Sequence, residues 1–546
     1  MVTAAVMAAC GGGGGGSSEP PEATAQEVLD RFPAAPNRPL KWSYQANLTL
    51  GVDNGRALGT LFELVTKDGD LLAAAGFANG MQTTASNDGR MINFFVGGNG
   101  DPESRFPALP AALARPFGPT ELFSMTTYRG QLLAYRYHRP GVVRTWDEAR
   151  QAWVAFTHRA TDDSSQRSIR NIQTVDNRLL VIYDDAIRYG NRVVSLEPLA
   201  LPDLAIISMG LFAAGHMSLS VVDKDHLGEL RAGVAVCSWS PDDAVLKGCR
   251  LNVHPTGPTG TTLERLPSGL HVTSAGALLT YGLQGDVFAL EGGTWTAVRE
   301  GLPSESWQAY SSLDAAADVV LGHYPSANLF SIGRNNRGRE WSIAEQQPGV
   351  VPPNGVRRDE LQSVMHFGGE LLAGVWPWGE IFRGRRDGDW NKFIEAFSRA
   401  GGEPDHRHPF ESVVGNNCLG QRVFQILPWR NGFVFSTTLK NEDDECAKAS
   451  AALTPAQLDE YGRVYYVERT NALACPFVWF GRASRLNFGL TDDNRLFVSQ
   501  DGRQLCSATL SSDAMATRLQ RSDNRLAVDA LAVLSKASGL YGPTLR

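Results

Sequence analysis

The sequence lacks several features that would assign a chain directly to a functional class. Charged residues make up only 20% of its 546 residues, 51 Lys and Arg stand against 58 Asp and Glu, and no basic run occurs. A nucleic-acid-binding surface is therefore not expected. No apolar stretch reaches the roughly 18 residues that a membrane-spanning helix needs. Gly-x-Ser-x-Gly, His-Glu-x-x-His and P-loop motifs are also absent, so the well-marked hydrolase and nucleotide chemistries have no support.

The sequence does contain seven Cys, an odd number, and the setting of the first one explains it. Residues 1–10 form a short apolar run with small residues just before Cys10. Six Gly and a Ser/Pro/Glu stretch follow, and by composition residues 11–40 are a flexible tether. This segment resembles the lipobox of bacterial lipoproteins, which implies lipidation of Cys10, removal of residues 1–9 and export. The run is short and has no basic residue before it, so an ordinary disordered N-terminus is the alternative.

The other six Cys are even in number and can pair. Cys237 and Cys249 lie 12 residues apart across a Ser-Pro-Asp-Asp turn, which favours a bridge that closes a hairpin. Among the many possible connectivities, the sequential choice for the rest is Cys418 with Cys446 and Cys475 with Cys506. No Cys-x-x-Cys spacing occurs, so a zinc ribbon or redox motif is not expected. Paired Cys in an exported chain indicate an oxidising compartment.

A short pattern repeats along the chain, a turn dipeptide followed by an apolar run, as in Gly369-Glu370-Leu371-Leu372-Ala373. Nine copies occur at a mean interval of about 53 residues, with apolar runs that begin at 71, 132, 179, 230, 278, 319, 371, 433 and 496. Several copies continue into a second strand and a Trp-bearing strand, with the aromatic residue at Trp153, Trp295 or Trp390. Four strands in a period near 50 residues resemble the kelch-like class of β-propeller blade.

The repeat therefore predicts an all-β fold, a β-propeller of seven or eight four-stranded blades. We expect the propeller to occupy residues 41–510 and to be followed by a partly helical tail over 511–546. A set of unrelated β-sandwich domains is the alternative. The even spacing and the constant order of turn and aromatic residues favour the propeller.

The repeats also predict which side chains meet at one rim of the central channel, because the second strand of each blade ends there. Aromatic side chains mixed with His, Arg and carboxylates suit stacking on sugar rings and hydrogen bonding to their hydroxyls and carboxylates. We therefore expect an extracellular polysaccharide as the partner. Propeller blades also use single aromatic residues as packing plugs, which is the alternative for each position. The predicted substrate-binding residues are Tyr183, Tyr281, His323, Tyr324, Trp376 and Trp378.

Two His lie 20 residues apart at the two ends of one predicted blade, His138 and His158. On an exported propeller this pair resembles the propeller polysaccharide lyases, the ulvan lyases in particular, in which two His face each other across a groove with a Tyr and an Arg nearby. The resemblance implies β-elimination at a uronic acid, which needs a cation for the carboxylate, a base for the C5 proton and an acid for the leaving oxygen. The candidates for these roles, in that order, are Arg188 or Arg144, His138 or His158, and Tyr137 or Tyr189. The alternative, from a different class, is a non-catalytic glycan- or protein-binding lipoprotein of the cell envelope.

One further cluster has the residue types of a metal site. His406 and His408 lie close to Glu403 and Asp405, and two His at this spacing can share a metal. Arg407 between the two His and the Gly-rich entry to the segment fit a solvated turn, so a divalent metal is not favoured here. No organic cofactor is expected. The acidic run at 441–445 lacks the spacing of a calcium loop.

Overall fold

In the computed structural model the chain consists largely of β-strands. Cys10, His406 and His408 lie outside the described residues, as do Trp378, Cys418 and Cys446. In the portion that is described, no helix is long and apolar enough to cross a membrane. The described residues are 24–49, 60–66, 71–76, 78–79, 91–95, 111–175, 178–199, 205–213, 215–223, 232–255, 267–272, 277–282, 285–300, 308–315, 318–324, 327–334, 341–346, 360–367, 370–376, 379–384, 390–396, 421–430, 432–438, 451, 453–468, 472–476, 478, 483–493, 495–509 and 522–526.

The N-terminal part contributes one helix and six strands. Helix α1 (Ala25–Asp30) begins with a capping box, in which the Thr24 hydroxyl accepts the Glu27 N–H and the Glu27 carboxylate accepts the Thr24 N–H. Each of the six strands pairs within this group or with a strand from later in the chain. They are β1 (Leu40–Thr49), β2 (Thr60–Thr66), β3 (Leu71–Gly76), β4 (Ala78–Asn79), β5 (Met91–Phe95) and β6 (Ala111–Leu113).

Six consecutive four-stranded antiparallel meanders, called blades one to six, follow between residues 123 and 395. The first strands of neighbouring blades contact each other, which places them nearest the axis. The fold is therefore an all-β β-propeller, as the repeat predicts. Blade one contains β7 (Phe123–Tyr128), β8 (Gln131–Arg136), β9 (Arg144–Asp147) and β10 (Ala152–Ala155); blade two, β11 (Ile169–Val175), β12 (Arg178–Tyr183), β13 (Ile187–Tyr189) and β14 (Arg192–Val194). Blade three contains β15 (Ala205–Ala213), β16 (His216–Asp223), β17 (Ala232–Ser238) and β18 (Lys247–Val253); blade four, β19 (Pro267–Val272), β20 (Leu278–Gly282), β21 (Val287–Glu291) and β22 (Thr294–Arg299). Blade five contains β23 (Gln308–Ala315), β24 (Asp318–Tyr324), β25 (Leu329–Arg334) and β26 (Trp341–Gln346); blade six, β27 (Glu360–Phe367), β28 (Glu370–Trp376), β29 (Glu380–Gly384) and β30 (Trp390–Glu395), with β4 paired to β27.

A further four-stranded sheet, the closing sheet, joins the two ends of this series. One hydrophobic cluster unites Met365 of blade six, Ile426 of the closing sheet and Phe123 of blade one. The Gln425 carboxamide accepts the Met125 N–H at 2.5 Å and donates to the Met125 carbonyl at 2.8 Å, so a side chain continues the backbone pairing between the two sheets. The closing sheet consists of β31 (Arg422–Trp429), β32 (Gly432–Thr438), β33 (Val464–Glu468) and β6, with helix α2 (Pro455–Leu458) between β32 and β33.

The remaining strands form three smaller groups outside the blades. Strand β1 pairs with the meander β35 (Ala483–Thr491), β36 (Arg495–Gln500) and β37 (Arg503–Thr509). Strand β5 pairs with β34 (Ala472–Pro476), and β2 pairs with β3 and with β38 (Ser522–Leu526). The described part of the predicted tail is thus a strand, and its other residues lie outside the described ones.

The leucine pairs of the repeat have a structural reason. Successive residues of a strand point to opposite faces of the sheet. Leu133 therefore packs with blade two, whereas Leu132 packs with the closing sheet. In blade two, Leu179 faces blade one and Leu180 faces blade three. A pair of adjacent apolar residues on the second strand is thus what a blade with neighbours on both sides requires.

Most of the predicted repeat copies are second strands, but blade three departs from the pattern. Its second strand is His216–Asp223, which follows a turn with Gly215 at φ +78°. The predicted copy at Leu230 begins outside the described residues, and its described part, residues 232–234, belongs to the third strand β17 rather than to the second strand. The copies at 71 and 496 fall on β3 and β36, outside blades one to six.

One predicted disulfide is confirmed in blade three. Cys237 on β17 is bonded to Cys249 on β18, so the bridge links the third and fourth strands of the blade. Cys506 is also disulfide-bonded. The bridge expected between Cys418 and Cys446 involves residues outside the described ones.

Candidate functional site

A repeated irregularity marks the rim at which the second strands end. In blades two to six and in the closing sheet, the first strand contains one extra residue opposite the end of the second strand. Such β-bulges bend a strand and redirect a side chain, and they are frequent beside functional sites. The extra residues are Arg170, Ser208, Ser268, Tyr310, Gln362 and Phe424.

The loop that follows β8 in blade one lies at this rim. Tyr137 and His138 stack with their ring centroids 3.9 Å apart and an angle of 14° between the ring planes. His138 has φ +53°, the left-handed region that non-glycine residues rarely adopt, and its side chain is exposed. Arg139, the next residue, is exposed as well. An uncommon backbone conformation thus presents a stacked aromatic pair to solvent.

Phe424 brings residues of distant blades together at the axis. The Tyr137 ring meets the Phe424 ring edge-on at 5.3 Å, and Tyr324 of blade five packs against the same Phe424. Blades one and five are not neighbours in the ring, so their side chains can share a contact only near the central channel. Tyr137 and Tyr324 are partly buried, whereas Phe424 is fully buried beneath them.

The charge at this position comes from Arg170, the bulge residue of blade two. The nearest carboxylate oxygen, from Asp184, lies 4.0 Å from its guanidinium, and Arg170 Nε has no hydrogen-bond partner among the described residues. Enclosure by protein and the Arg170 charge lower the pKa of His138 below its usual value, although water still reaches the ring and tempers this effect. A neutral imidazole can both donate and accept hydrogen bonds. We call Tyr137, His138, Arg170, Tyr324 and Phe424 the mouth cluster.

His158, the second predicted catalytic His, has a different environment. Its Nδ1 accepts the Ala160 N–H at 3.1 Å and so caps the 3-10 helix Arg159–Ser165. Its ring lies parallel to Phe156 at 5.8 Å and edge-on to Tyr128 at 5.6 Å. One ring nitrogen is therefore engaged in capping, and the ring makes two aromatic contacts within blade one.

The two predicted carboxylate-binding arginines also have protein partners. Arg188 Nε donates to Asp163 Oδ2 at 2.6 Å. This charge-assisted bond joins blade two to the 3-10 helix Arg159–Ser165. The Arg144 guanidinium lies over the Phe117 ring at 5.6 Å, within reach of a cation–π interaction. Neither arginine is joined to the mouth cluster by a described contact.

Three predicted tyrosines are buried in the blades. Tyr183 donates its hydroxyl hydrogen to the Ala160 carbonyl at 2.8 Å, and burial raises its pKa. Tyr189 donates to the Val175 carbonyl at 3.1 Å. Tyr281 fills the space over Gly269, where any Cβ would collide with its ring. These rings pack the blades, as the packing-plug alternative supposed.

His323 and Trp376 are buried at the ends of the second strands of blades five and six. The His323 ring meets Phe330 edge-on at 4.8 Å, and burial together with Arg299 lowers the pKa of His323 to about 3. Trp376 is 2% exposed, and its indole N–H has no hydrogen-bond partner among the described residues. Of the predicted residues, Tyr137, His138 and Tyr324 are the ones that the structure brings together.

Two members of the mouth cluster were not predicted from the sequence. Arg170 and Phe424 belong to first strands, whereas the predicted site residues come from the segments that follow second strands. A signal does exist for Arg170, because a charged residue inside the otherwise apolar and amide-bearing strand Ile169–Val175 is unusual for a strand next to the axis. Phe424 sits in an apolar strand and gives no comparable signal.

Solved structures resemble the chain over part of its length. YCF48 bound to a D1 peptide gives a TM-score of 0.36 at 10% identity, covering 61% of this chain and 97% of that one. A puromycin-hydrolyzing peptidase of Mycobacterium tuberculosis gives 0.31 at 10% identity, and the match covers 62% of this chain and 64%, just under two thirds, of the peptidase. A glucose dehydrogenase gives 0.25 at 12% identity, over 61% and 96% of the two chains. No protein-family model and no curated protein matches the sequence. The likeness concerns the β-propeller fold alone.

Proposed function

We propose that this protein is an extracellular binding propeller that holds an acidic polysaccharide at the mouth cluster. The observation that carries the proposal is the Tyr137–His138 stack beside Arg170 at the axis. Stacked aromatic rings offer a flat surface to a sugar ring, and a guanidinium fork pairs with the carboxylate of a uronic acid. Arg170 Nε is buried and has no hydrogen-bond partner among the described residues, so the guanidinium retains donor capacity for such a carboxylate.

The conformation of His138 supports a role outside folding. A left-handed conformation at a non-glycine residue costs of the order of 1 kcal/mol or more and persists where the surroundings enforce it. Such residues occur at ligand sites, and this one is solvent-exposed, with its described ring contact made to the neighbouring Tyr137.

Binding is favoured over cleavage because the other candidate catalytic residues are already buried or have partners within the protein. β-Elimination needs a base, an acid and a carboxylate partner around one sugar. His158 caps a helix, Tyr189 is buried, and Arg188 is paired with Asp163. Tyr137, His138 and Arg170 remain together, but the Tyr137 and His138 rings are stacked on each other rather than placed on opposite sides of a groove, an arrangement that suits recognition better than acid–base catalysis.

Binding to uronate-containing oligosaccharides tests the proposal, with the carboxyl-reduced oligosaccharides as matched neutral ligands. We expect the uronates to bind about tenfold more tightly, and the Arg170→Gln variant to lose this preference. The exposed Arg150, which lies on blade one and pairs with Asp147, provides the control variant Arg150→Gln, which should behave as wild type. Absence of binding to every uronate would refute the proposal. A rise in ultraviolet absorbance from unsaturated product would instead show a lyase.

We further propose that the ring has seven blades, with the closing sheet as the seventh. Its packing against both blade six and blade one supports this count, as does the Gln425–Met125 bonding. Strand β6, from the N-terminal side, supplies its outer strand, so two distant chain segments close the ring in one sheet.

Export and a lipid anchor at Cys10 complete the proposal. The Cys237–Cys249 bridge supports an oxidising compartment. The Cys10→Ala variant should leave the membrane fraction, whereas wild type should partition into it. Equal partitioning of the two would exclude the anchor, and free thiols at 237 and 249 in the native protein would exclude the compartment.

A further inference from the structure

The fourth strand of blade three, β18, is an unusually open edge. At seven residues it is the longest fourth strand of blades one to six. Strand β17 pairs with one side of it, and no other described strand pairs with its other side, while the short turn Glu197–Leu199 lies near part of β18. None of its residues is buried, whereas the fourth strands of blades one, two and six each contain buried residues. An exposed strand edge is a template for pairing with another extended segment.

One face of β18 is apolar. Leu251 is 52% exposed and Val253 is 63% exposed, and the two point to the same face because they are two residues apart. Gly233 lies on β17 beneath this face, and a Cβ there would come within 2.9 Å of Leu251 Cδ1. Leu251 thus lies closely over Gly233, and the face of β18 that carries Leu251 and Val253 is apolar and exposed.

The opposite face of β18 carries a positive charge. Arg250 is exposed, lies between Cys249 and Leu251, and pairs with no carboxylate of the described residues. Lys247, in contrast, is paired with Asp243. The Arg250 guanidinium would attract an acidic side chain placed across the strand edge.

The disulfide fixes the same edge. Cys249 is the third residue of β18, and its bond to Cys237 holds the strand against β17. Cys249 also packs with the hydrophobic cluster between blades two and three. An edge held in its extended conformation binds an added strand with a smaller loss of conformational entropy.

From these features we propose that β18 binds an extended segment of a partner protein by strand addition, and that the segment alternates aliphatic and acidic residues. Its backbone would pair with the free edge, its aliphatic side chains would cover Leu251 and Val253, and its acidic side chains would face Arg250. The period of two in the partner follows from the period of two in the strand. This surface is separate from the mouth cluster and does not depend on the glycan proposal.

A second copy of this chain fits the edge less well. Two β18 strands paired antiparallel about their centre would place Arg250 opposite the Arg250 of the other copy. Like charges directly opposite each other destabilise a strand pair. Arg250, which pairs with no carboxylate of the described residues, therefore favours an acidic partner over self-association.

A labelled heptapeptide of alternating Val and Glu is the probe, and fluorescence anisotropy is the measurement. We expect it to bind the wild-type protein, and a peptide with Lys in place of Glu to bind about fivefold more weakly. Arg250→Glu should reverse this preference, and because the side chain is exposed the variant should fold normally by circular dichroism. Arg150→Glu, a charge reversal at an exposed site on blade one, should change neither affinity.

Backbone pairing has its own control. Methylation of alternate peptide nitrogens removes hydrogen bonds to the edge and should weaken binding about tenfold or more. Equal affinity of the methylated peptide, or an unchanged preference in Arg250→Glu, would overturn the proposal. A dimer of the protein that Leu251→Asp converts to monomer would also overturn it, since the occupant would then be a second copy.

Discussion

Two loops of blade one each carry a histidine that the sequence predicts at the same rim, but the two histidines have different environments in the structure. The loop after β8 holds His138 in a left-handed conformation, exposed and stacked on Tyr137. The segment after β10 holds His158 as a helix cap between Phe156 and Tyr128. The first loop holds an exposed ring in an unfavourable backbone conformation, whereas the ring in the second loop stabilises the fold.

The partners of His138 and His158 distinguish a ligand-facing side chain from a structural one of the same type. His158 has two partners in its own segment, a backbone N–H at i+2 and an aromatic ring at i−2, and a third, Tyr128, on the first strand of the same blade. His138 has its contact with the preceding Tyr137, and the charge beside it comes from blade two. A side chain that supports its own segment, as His158 does, has a structural role. An exposed side chain that lies beside residues of other blades, as His138 does, is a candidate for ligand binding.

The largest expected effect comes from the support beneath the first loop. Phe424→Ala removes a ring that is 1% exposed and on which Tyr137 and Tyr324 both rest. We expect a loss of about 3 kcal/mol in the free energy of unfolding, measured by urea denaturation, together with loss of oligosaccharide binding. Phe424→Leu should restore most of the stability. If Phe424→Ala binds glycans as wild type does, the mouth cluster does not hold the ligand.

Lowering the pH should destabilise the protein through its buried histidines, of which His254 is the first example. Burial lowers the pKa of His254 to about 4, and its Nε2 lies 2.9 Å from Thr280 Oγ1. A folded-state pKa below the unfolded value means that the unfolded chain binds more protons, so stability falls as the pH drops below the unfolded pKa of about 6.5. His254 should therefore contribute a loss of about 1–2 kcal/mol between pH 7 and pH 5.

The control for this titration is His254→Gln, which can still bond to Thr280. Denaturation of the variant should show a shallower dependence on pH over the same range. His323, whose pKa burial and Arg299 lower to about 3, should keep part of the slope in that variant. Identical slopes in wild type and variant would mean that His254 does not titrate as its burial requires.

A smaller effect is expected at the second loop. His158→Ala removes the cap of Arg159–Ser165 and the stacking on Phe156, and should lower the free energy of unfolding by about 1 kcal/mol. Glycan binding should be unchanged. His158→Asn, which supplies a capping oxygen, should recover part of the stability. A variant of normal stability that no longer binds would return His158 to the ligand site.

Much of the fold could be predicted because blades repeat their physical requirements. Each second strand needs one apolar residue for each neighbouring blade, which produces the Leu pairs, and each hairpin needs a turn dipeptide. Blade three departs from the pattern for two reasons. Its second strand has weaker apolar character, Met217-Ser218-Leu219-Ser220, and its third strand begins only at Ala232. The role of β6 could not be predicted, since three residues leave no periodic signal.

The site was less predictable than the fold, for a geometric reason. Alignment of loops placed Tyr137, His138 and Tyr324 at one rim, and these residues do meet there. The same alignment could not show that the Tyr183 ring turns into the blade. Nor could it show Arg170, because a bulge is a property of strand register that no local sequence pattern specifies.

The smallest expected change in stability is also the sharpest test of the comparison between the two loops. In His138→Gly the backbone can keep φ +53° without strain, while the unfolded chain gains freedom. These two effects oppose each other, so the free energy of unfolding should change by less than about 1 kcal/mol. Affinity for the uronate oligosaccharide should nevertheless fall about tenfold, because the stacked ring is gone. His158→Gly is the matched variant, and it should show the reverse, lower stability with full affinity. If both variants lose stability and neither loses affinity, the two loops are alike and His138 is a structural residue.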